Sequence, residues 1–258
     1  MQLPAGLGPL SLENRVALVT GSTTGLGLAM ANALAAAGAR VALNYANNSG
    51  RAERAFADFT AAGHEGGLFR ASVIDEADVN RLVQEISRRL GPVDILVINA
   101  TPAQPLKPIE EYGWEFCQSM LDYFIKSPFL LTRAVLPHMK AQRWGRIINI
   151  GSENFQRGVG NFSAYVAAKG GQNGWTRSMS TELVPFGITV NMISPGWIPV
   201  ERHRNDPQEL KDNYLAAVPA GRWGAPDDLA GIIVFLASDS SSFISGQNIC
   251  VNGGLTVA

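Results

Sequence analysis

The sequence predicts one α/β domain built around a doubly wound, mostly parallel β-sheet. Short apolar runs alternate with longer helical patterns along the 258 residues, and this order is typical of parallel strands joined by crossover helices. The runs that begin near residues 16, 95 and 147 are almost continuously apolar, as expected for strands that helices cover on both faces. No repeat, low-complexity tract or linker marks a second domain, so we expect one domain over residues 1–258.

The apolar runs predict seven strands, which are Val16–Thr20, Val41–Asn44, Gly67–Arg70, Ile95–Asn99, Arg146–Ile150, Thr189–Ile193 and Gln247–Val251. Helical patterns separate them at about residues 25–37, 50–62, 75–90, 110–140, 162–184 and 226–238. Residues 195–220 interrupt this alternation, because the stretch is polar and rich in proline. We expect residues 195–220 to form a lid over a binding site.

Composition narrows the possible partners and compartments. The formal net charge is −1, so the sequence lacks the excess of basic residues typical of proteins that bind nucleic acid or an anionic membrane. We therefore expect a small-molecule partner. Cys117 and Cys250 lie far apart without a CxxC or His cluster, so we expect no metal site and read both as buried small residues. The N-terminus lacks the pattern of a secretory signal, and no apolar stretch reaches the roughly 20 residues of a membrane span. These features predict a cytoplasmic protein.

A glycine-rich turn follows the first strand and leads into an alanine-rich helix. It reads Thr20-Gly21-Ser22-Thr23-Thr24-Gly25-Leu26-Gly27. Glycine at these positions permits a sharp reversal and lets the backbone approach a pyrophosphate, toward which the helix N-terminus directs its free N–H groups. Glycines also serve as plain caps, but this turn opens the first strand–helix–strand unit. The sequence therefore predicts a Rossmann-type, dinucleotide-binding and catalytic domain.

Three residues further along the chain suggest proton chemistry. Tyr165 and Lys169 are four residues apart on a helical pattern, which places both side chains on one face. An ammonium near a phenol favours the phenolate and lowers a pKa that is about 10 in free Tyr. Ser152 follows a buried strand, at the edge of the sheet where a ligand is expected, and its hydroxyl can hold a carbonyl oxygen. We predict Ser152, Tyr165 and Lys169 as the catalytic residues.

The motifs TGSTTGLG, ILVINA, IINIGS, YVAAK, SPGW and VNGG, in this order and spacing, resemble the short-chain dehydrogenase/reductase family over essentially the whole chain. The resemblance implies that Tyr165 is the general acid and base, that Lys169 lowers its pKa and holds the nicotinamide ribose, and that Ser152 orients the substrate carbonyl. It also implies hydride transfer at nicotinamide C4, and a homotetramer with the two long middle helices at an interface. Members similar to 3-oxoacyl carrier-protein reductases and glucose dehydrogenases fit best.

The resemblance and the predicted strand ends together give a set of cofactor contacts. These are Gly21, Thr23, Thr24, Gly25, Leu26, Gly27, Asn44, Tyr45, Asn47, Ser72, Val73, Asn99, Ala100, Thr101, Tyr165, Lys169, Pro195, Gly196 and Ile198. The end of the second strand has no carboxylate to accept hydrogen bonds from a ribose 2′-OH. We therefore expect NADP(H) to be favoured over NAD(H), with Asn47, Ser49 and Arg51 as possible donors to the 2′-phosphate, although Arg51 can equally be a solvated helix-start residue.

Several positions depart from the family pattern. Thr101 stands where the family usually has glycine, and Ser72 replaces an Asp that faces adenine. Val200 replaces a Thr that often follows the PG motif. The catalytic Asn of the family is expected at the position of Phe124. Because Phe124 has no side-chain amide, we expect a different or slower proton route behind Lys169.

The sequence does not name a substrate. We expect Glu153, Asn154, Phe155, Phe162, Trp197 and His203 to line the substrate pocket, although a lone His in a polar segment is more often simply solvated. A 3-oxoacyl carrier-protein reductase and a sugar, polyol or xenobiotic ketone reductase remain open as functions. The alternative from another class is a cofactor-binding regulator or scaffold with lost or weak turnover, which the departures at Phe124 and Thr101 suggest.

Overall fold

The computed structural model describes residues 10–256, which form one seven-stranded sheet in the order β3-β2-β1-β4-β5-β6-β7. Every neighbouring pair of strands is parallel, so the sheet is entirely rather than mostly parallel. The predicted strands are confirmed, and each boundary lies within two residues of its predicted place. The strands are β1 (Val16–Val19), β2 (Arg40–Tyr45), β3 (Gly66–Arg70), β4 (Ile95–Ile98), β5 (Gly145–Ile150), β6 (Ile188–Pro195) and β7 (Asn248–Val251).

The helices that connect these strands follow the predicted pattern with three differences, the first of which is that the single-turn helix Asn154–Arg157 was not predicted. The helices are α1 (Gly25–Ala36), α2 (Ser49–Ala61), α3 (Glu76–Arg89), α4 (Trp114–Leu121), α5 (Ser127–Gln142), α6 (Asn154–Arg157), α7 (Ser163–Leu183), α8 (Gln208–Ala217) and α9 (Ala230–Ala237). The single helix predicted over 110–140 is divided, because a π turn at Asp122–Lys126 inserts an extra residue between α4 and α5. The predicted lid, residues 195–220, contains a helix of its own, α8.

Two apolar cores lie on opposite faces of the sheet. On one face, β1 and β4 pack against α1, α2 and α9, through side chains such as Met30, Phe59 and Ile233. On the other face, the strands pack against α3, α5 and α7, through side chains such as Leu82 and Leu131. All residues of β1, β4, β5 and β6 are buried. With both faces covered, the carboxyl ends of the strands are the open side of the sheet at which a ligand can bind.

The crevice at this edge opens between β1 and β4, where the crossovers diverge to opposite sides of the sheet. Side chains join its two walls. The Thr20 hydroxyl oxygen accepts hydrogen bonds from the main-chain N–H groups of Asn99 and Ala100, at 2.9 and 3.0 Å. The amide of Asn99 donates in return to the carbonyl oxygens of Thr20 and Gly21, at 2.9 and 3.1 Å. The glycine-rich turn is therefore fixed to the end of β4.

Within residues 10–256, no helix is long and apolar enough to cross a membrane. Both cysteines are free, and they are partly exposed rather than buried as we expected. The expectation fails for Cys250 because it lies on β7, the last strand of the sheet, whose residues are all partly exposed. Cys117 lies on α4, of which Met120 alone is fully buried.

The close packing of the glycine-rich turn leads to a first prediction. A Cβ at Gly27 would lie 2.4 Å from the Gly21 carbonyl oxygen and 2.5 Å from the Asn99 amide nitrogen, so Gly27→Ala must displace the turn. We expect this substitution to lower the free energy of unfolding by about 1–3 kcal/mol and to weaken NADPH binding. Thermal denaturation and cofactor fluorescence titration measure the two effects.

Gly231→Ala is the matched control for this prediction. Gly231 lies in α9, and a Cβ there would meet no atom within 4 Å. The control should leave stability unchanged or raise it by about 0.5–1 kcal/mol, because Ala is the better helix former. Equal behaviour of the two variants would contradict the assignment of Gly27 as a steric requirement of the turn.

Candidate active site

Ser152, Tyr165 and Lys169 converge at the carboxyl end of β5. Ser152 follows that strand by two residues, while Tyr165 and Lys169 lie in the first two turns of α7 and share one face. All three are buried, with 7%, 7% and 4% of their surfaces exposed. Ser152 is close enough to lower the pKa of the Tyr165 hydroxyl, and the Ser152 hydroxyl oxygen accepts from the Asn154 main-chain N–H at 3.2 Å. The structure therefore brings the predicted catalytic residues together.

Aromatic rings enclose Tyr165. The ring of Phe162 stacks on it at 4.4 Å between centroids, and Phe124 meets it edge to face at 5.4 Å. Burial raises the pKa of the Tyr165 hydroxyl, whereas the neighbouring Ser152 hydroxyl and the charge of Arg202 lower it. Without cationic neighbours, Tyr165 would be a poor proton donor and acceptor near neutral pH. The charge state of Lys169 is therefore decisive.

The Lys169 ammonium has neutral partners. It donates to the Ile150 carbonyl oxygen at 2.6 Å and to Oε1 of Gln172 at 3.0 Å, and it lies 3.8 Å from the centre of the Phe124 ring. Burial and the charge of Arg202 lower the pKa of Lys169. Hydrogen bonds to a charged group are worth about 1.5–3 kcal/mol each, and a desolvated cation–π contact about 2 kcal/mol. These contacts oppose the loss of the Lys169 charge.

A cavity of about 640 Å³ opens beside these residues, beneath the predicted lid. Most of the predicted substrate-pocket residues line it, as do several predicted cofactor contacts; they are Glu153, Asn154, Phe162, Trp197 and His203 of the first group, and Leu26, Asn99, Thr101, Pro195, Gly196 and Ile198 of the second. Phe155 does not line this cavity. The helical turn α6 directs Asn154 and Arg157, three residues apart, toward the cavity, and this leaves Phe155 on another side.

The glycine-rich turn fits a bound pyrophosphate. Gly21 and Gly25 adopt positive φ angles of 61° and 54°, which a side chain would strain, and the cradle at Gly27 has no room for a Cβ. An acidic side chain already lies at this helix N-terminus, because the hydroxyl of Thr24 donates to the carboxylate of Glu201 at 2.6 Å. That hydrogen bond lowers the pKa of Glu201. A negative group is therefore stabilised where the predicted phosphates would lie.

The other predicted cofactor residues lie at the ends of β2, β3 and β4. Thr23, Asn44 and Val73 are buried, and Asn44 is committed to the fold, because its amide accepts from the Gly21 N–H and donates to the Ala71 carbonyl oxygen. The Ser72 N–H donates to the carboxylate of Asp78 at 2.8 Å. Ala100 and Tyr45 are partly exposed, whereas Asn47 and Thr101 are exposed. The accessible groups near the end of β2 are thus Tyr45 and Asn47.

Two arginines lie near this strand end. The Arg70 side chain crosses the end of β2 and donates from Nε to the Ala46 carbonyl oxygen at 3.1 Å. Arg51 begins α2, and its charge reaches the Glu201 carboxylate and lowers the pKa of that group. The sequence prediction included Arg51 and missed Arg70, which becomes a neighbour of β2 through the pairing of β2 with β3.

A buried carboxylate joins the lid to the cavity wall. Glu153 is 1% exposed, and its oxygens accept from the Tyr214 hydroxyl at 2.8 Å, from Arg157 at 3.2 Å and from the Asn252 amide at 2.9 Å. The Tyr214 hydroxyl also accepts from the Trp197 N–H at 2.7 Å. Because its charge is already satisfied within the protein, Glu153 is available as a wall of the cavity rather than as a free base.

Two neighbouring residues, Arg202 and His203, extend from the 3₁₀ turn Glu201–His203 into the cavity. Burial and the charge of Arg202 lower the pKa of His203 to about 4. The two ring nitrogens of His203 lie 3.2 Å from the Val200 N–H and 3.0 Å from Nε of Arg202. The ring is neutral near neutral pH, so it accepts at only one of these nitrogens, and it carries no exchangeable charge near neutral pH. The charge of Arg202, in contrast, lowers the pKa values of both Tyr165 and Lys169.

Two side chains that the sequence analysis did not select have direct roles in this geometry. Gln172 follows Lys169 by three residues on α7, so helical periodicity was a signal that could have found it. Tyr214 belongs to the lid, and no local pattern connects it with β5. Its position depends on long-range contacts, such as the hydrogen bond that joins residues 61 apart, Tyr214 and Glu153.

The family model described as Enoyl-(Acyl carrier protein) reductase, of the adh_short_C2 type, matches residues 21–256. The chain is a short-chain dehydrogenase/reductase. A 2-dehydro-3-deoxy-D-gluconate 5-dehydrogenase of Formosa agariphila is 34% identical to it over 95% of the chain and 93% of that protein. A 3-oxoacyl-[acyl-carrier-protein] reductase of Escherichia coli is 36% identical over 95% of the chain and 99% of that protein.

A solved relative shares the whole architecture. A gluconate 5-dehydrogenase from Burkholderia cenocepacia, in complex with NADP and tartrate, is 34% identical over 98% of the chain and 99% of its own length, with a TM-score of 0.91. This short-chain dehydrogenase/reductase is thus an oxidoreductase that transfers hydride between a nicotinamide cofactor and a carbonyl or alcohol carbon. The alternative of a regulator or scaffold receives no support from these relatives.

The enclosed position of the Tyr165 hydroxyl leads to a second prediction. Tyr165→Phe removes one oxygen and keeps the ring that packs between Phe162 and Phe124. Because general acid–base catalysis contributes about 10²–10⁴-fold, we expect kcat to fall by about that factor while NADPH affinity changes little. Steady-state kinetics and cofactor titration measure both. Unchanged turnover would show that the proton comes from another group.

Proposed function

We propose that this reductase uses NADP(H) in preference to NAD(H) and interconverts a ketone and a secondary alcohol in a small substrate that carries a carboxylate. Ser152, Tyr165 and Lys169 are the proposed catalytic residues. The observation that carries the substrate class is the charge of Arg202 beside Tyr165 and Lys169, within the cavity.

Each catalytic side chain has a defined task in this proposal. Tyr165 gives its hydroxyl proton to the carbonyl oxygen during reduction and removes it from the alcohol during oxidation. Ser152 donates a hydrogen bond to the same oxygen and so orients the carbonyl. The ammonium of Lys169 stabilises the phenolate of Tyr165 and offers a donor to the nicotinamide ribose. The bound nicotinamide supplies or accepts the hydride.

The preference for NADP(H) is supported by the charges around the end of β2. Positions 45 and 47 hold the uncharged residues Tyr45 and Asn47, whereas a carboxylate at either position would repel a 2′-phosphate. Arg70 lies across this strand end, and Arg51 lies within electrostatic reach of the glycine-rich turn. The solved gluconate 5-dehydrogenase contains NADP. The proposed cofactor residues are those of the glycine-rich turn and of the ends of β2, β3, β4 and β6.

Introducing a carboxylate at Tyr45 tests this preference. We expect Tyr45→Asp to raise KM for NADPH by about tenfold or more, because the carboxylate repels the 2′-phosphate, and to lower KM for NADH, because it accepts from the 2′-OH. Tyr45→Asn is the matched control, since it removes the same ring without adding charge. If both variants change the KM values for NADPH and NADH by the same factors, charge at this position does not set the cofactor preference.

Charges within the cavity support an anionic substrate. Lys169, Arg157 and Arg202 line it together with Glu153 and Asp206. Arg157 is paired with Glu153 at 3.2 Å, whereas Arg202 makes no salt bridge within residues 10–256. A guanidinium binds a carboxylate well, because its N–H groups match the two oxygens. The names of the relatives agree, since gluconates and tartrate are hydroxy acids.

Removing the charge of Arg202 tests the substrate class. We expect Arg202→Met to raise KM for hydroxy acids and keto acids about 10–100-fold, the loss expected for one or two charge-assisted hydrogen bonds. KM for uncharged polyols and ketones should change little, as should NADPH affinity. Arg204→Met is the matched control, because both arginines are exposed and Arg204 does not line the cavity.

Other outcomes of this experiment are equally informative. A loss of NADPH affinity without acid selectivity would assign Arg202 to the cofactor. Efficient wild-type turnover of 3-oxoacyl thioesters, with none of hydroxy acids, would replace the proposed substrate class with that of the Escherichia coli relative.

The proposed lid comprises residues 195–220. It contains α8, whose Tyr214 ring stacks on Trp223 and meets Trp197 edge to face, at 5.5 Å between centroids in each pair. The hydrogen bond from Tyr214 to Glu153 fastens this aromatic cluster to the residue next to Ser152. These contacts support a lid that covers the substrate and excludes water from the reacting carbonyl.

We also propose a homotetramer that resides in the cytoplasm. Exposed apolar side chains on the first of the two long middle helices, the divided segment that comprises α4 and α5, support the assembly, because Trp114 is 65% exposed and Phe129 is 46% exposed. The two free cysteines support a reducing compartment.

A further inference from the structure

Lys169 is connected to a closed ring of buried polar side chains behind the cavity. Oε1 of Gln172 accepts from Lys169, and its Nε2 donates to the Asn149 side-chain oxygen at 3.4 Å. The Asn149 amide then donates to the Thr176 hydroxyl oxygen at 3.0 Å, and that hydroxyl donates to the Gln172 main-chain carbonyl at 2.8 Å. Gln172, Asn149 and Thr176 are each 1% exposed or less. The ring therefore excludes solvent from this side of Lys169.

The ring determines which way the Gln172 amide points. Because Nε2 of Gln172 donates to Asn149, the side-chain oxygen of Gln172 must face Lys169. A flipped amide would place its NH₂ group against the Lys169 ammonium and its oxygen against the Asn149 oxygen, and both contacts are unfavourable. The orientation of the Asn149 amide is fixed in turn, because its NH₂ group donates to the Thr176 hydroxyl oxygen. That hydroxyl already donates its own proton to the Gln172 main-chain carbonyl. A neutral acceptor is thus held against the ammonium.

Phe124 closes the other side of Lys169. Its ring is 2% exposed, and the Lys169 nitrogen lies 3.8 Å from the ring centre. This is the position at which the family resemblance implies a catalytic Asn. A phenyl ring attracts a cation through its face, but it can neither bind water as an amide does nor pass a proton. The support that an amide would supply from α4 and α5 must come from elsewhere.

We propose that Gln172, oriented by Asn149 and Thr176, is a positioning residue that replaces the missing Asn by holding the Lys169 ammonium charged and directed at Tyr165. An amide oxygen stabilises the ammonium and cannot remove its proton at neutral pH. Gln172 and the Ile150 carbonyl oxygen use two of the three N–H groups of Lys169. The third remains for the cavity. The proposal rests on the proposed roles of Tyr165 and Lys169.

The test replaces the acceptor and follows the titration of Tyr165. Gln172→Met keeps the length of the side chain and removes the amide. Losing this acceptor lowers the pKa of Lys169, which weakens the stabilisation of the Tyr165 phenolate and raises the pKa of Tyr165. Alcohol oxidation needs the phenolate, so the acid limb of kcat should move to higher pH by about half to one unit. We expect kcat near neutrality to fall severalfold while the KM of the alcohol stays within twofold.

A second measurement does not depend on turnover. The near-ultraviolet absorbance of the phenolate is titrated in wild type and in Tyr165→Phe, and the difference isolates Tyr165 from the other tyrosines. The same pair in the Gln172→Met background should show the Tyr165 transition at higher pH. Gln142→Met is the matched control, because Gln142 bonds to Asp94 away from the cavity. It should leave both titrations unchanged.

The outcomes separate positioning from packing and from the proposed function. A lower melting temperature with both titrations unchanged would overturn the proposal and leave Gln172 as a structural residue. If Gln172→Met does not fold, Thr176→Val removes the support of the ring without contacting Lys169, and it should shift both titrations in the same direction; no shift would overturn the proposal. A wild type without oxidation of hydroxy acids would contradict the proposed substrate class, and the phenolate titration would still test Gln172.

Discussion

The divergence of the crossovers at β1 and β4 is the constraint on which the rest of this molecule depends. It opens a crevice at the carboxyl edge of the sheet, and the side chains of Thr20 and Asn99 hold the two walls of that crevice together. The glycine-rich turn lies on one wall, and the ends of β5 and β6 extend the other. Because buried amides and hydroxyls must find partners, these polar residues fix the backbone as firmly as the apolar cores do.

Charge is distributed unevenly around the site, and this distribution suits its chemistry. The carboxylate of Glu153 is neutralised by three donors, so it adds little negative potential. Lys169 has only neutral partners, and Arg202 has no carboxylate partner within the part of the chain that the structure describes. The positive charges are therefore left to act on the reacting groups. Lys169 is buried, so its charge acts more strongly than it would at the surface.

Sequence reasoning was most successful where the signal is local. The strands were predictable because continuous apolar runs leave little choice for a strand that is buried on both faces. Tyr165 and Lys169 were predictable from helical spacing, and the glycine-rich turn from its place after β1. Phe155 was misplaced because the single turn of α6, which decides its direction, carries no periodic pattern. Tyr214 reaches the site through the path of the lid, which depends on contacts across the whole fold.

The partners of Lys169 show a further limit of pattern reading. The absence of the family Asn at Phe124 was visible in the sequence, whereas the compensation was not, because Gln172 and Asn149 look like ordinary polar residues until their strand and helix are packed together. A departure from a motif indicates which contact of the site is missing. It does not indicate which neighbours supply the missing contact.

The π turn at Asp122–Lys126 has a consequence for how such a site can change over time. The widened turn persists with Phe at position 124, and the Ser127 N–H reaches back to the Asp122 carbonyl across it. Its path is therefore compatible with an aromatic side chain and needs no amide. The residue at this point can therefore be exchanged without rebuilding the helix, provided that α7 offers Lys169 another acceptor, as Gln172 does in this chain.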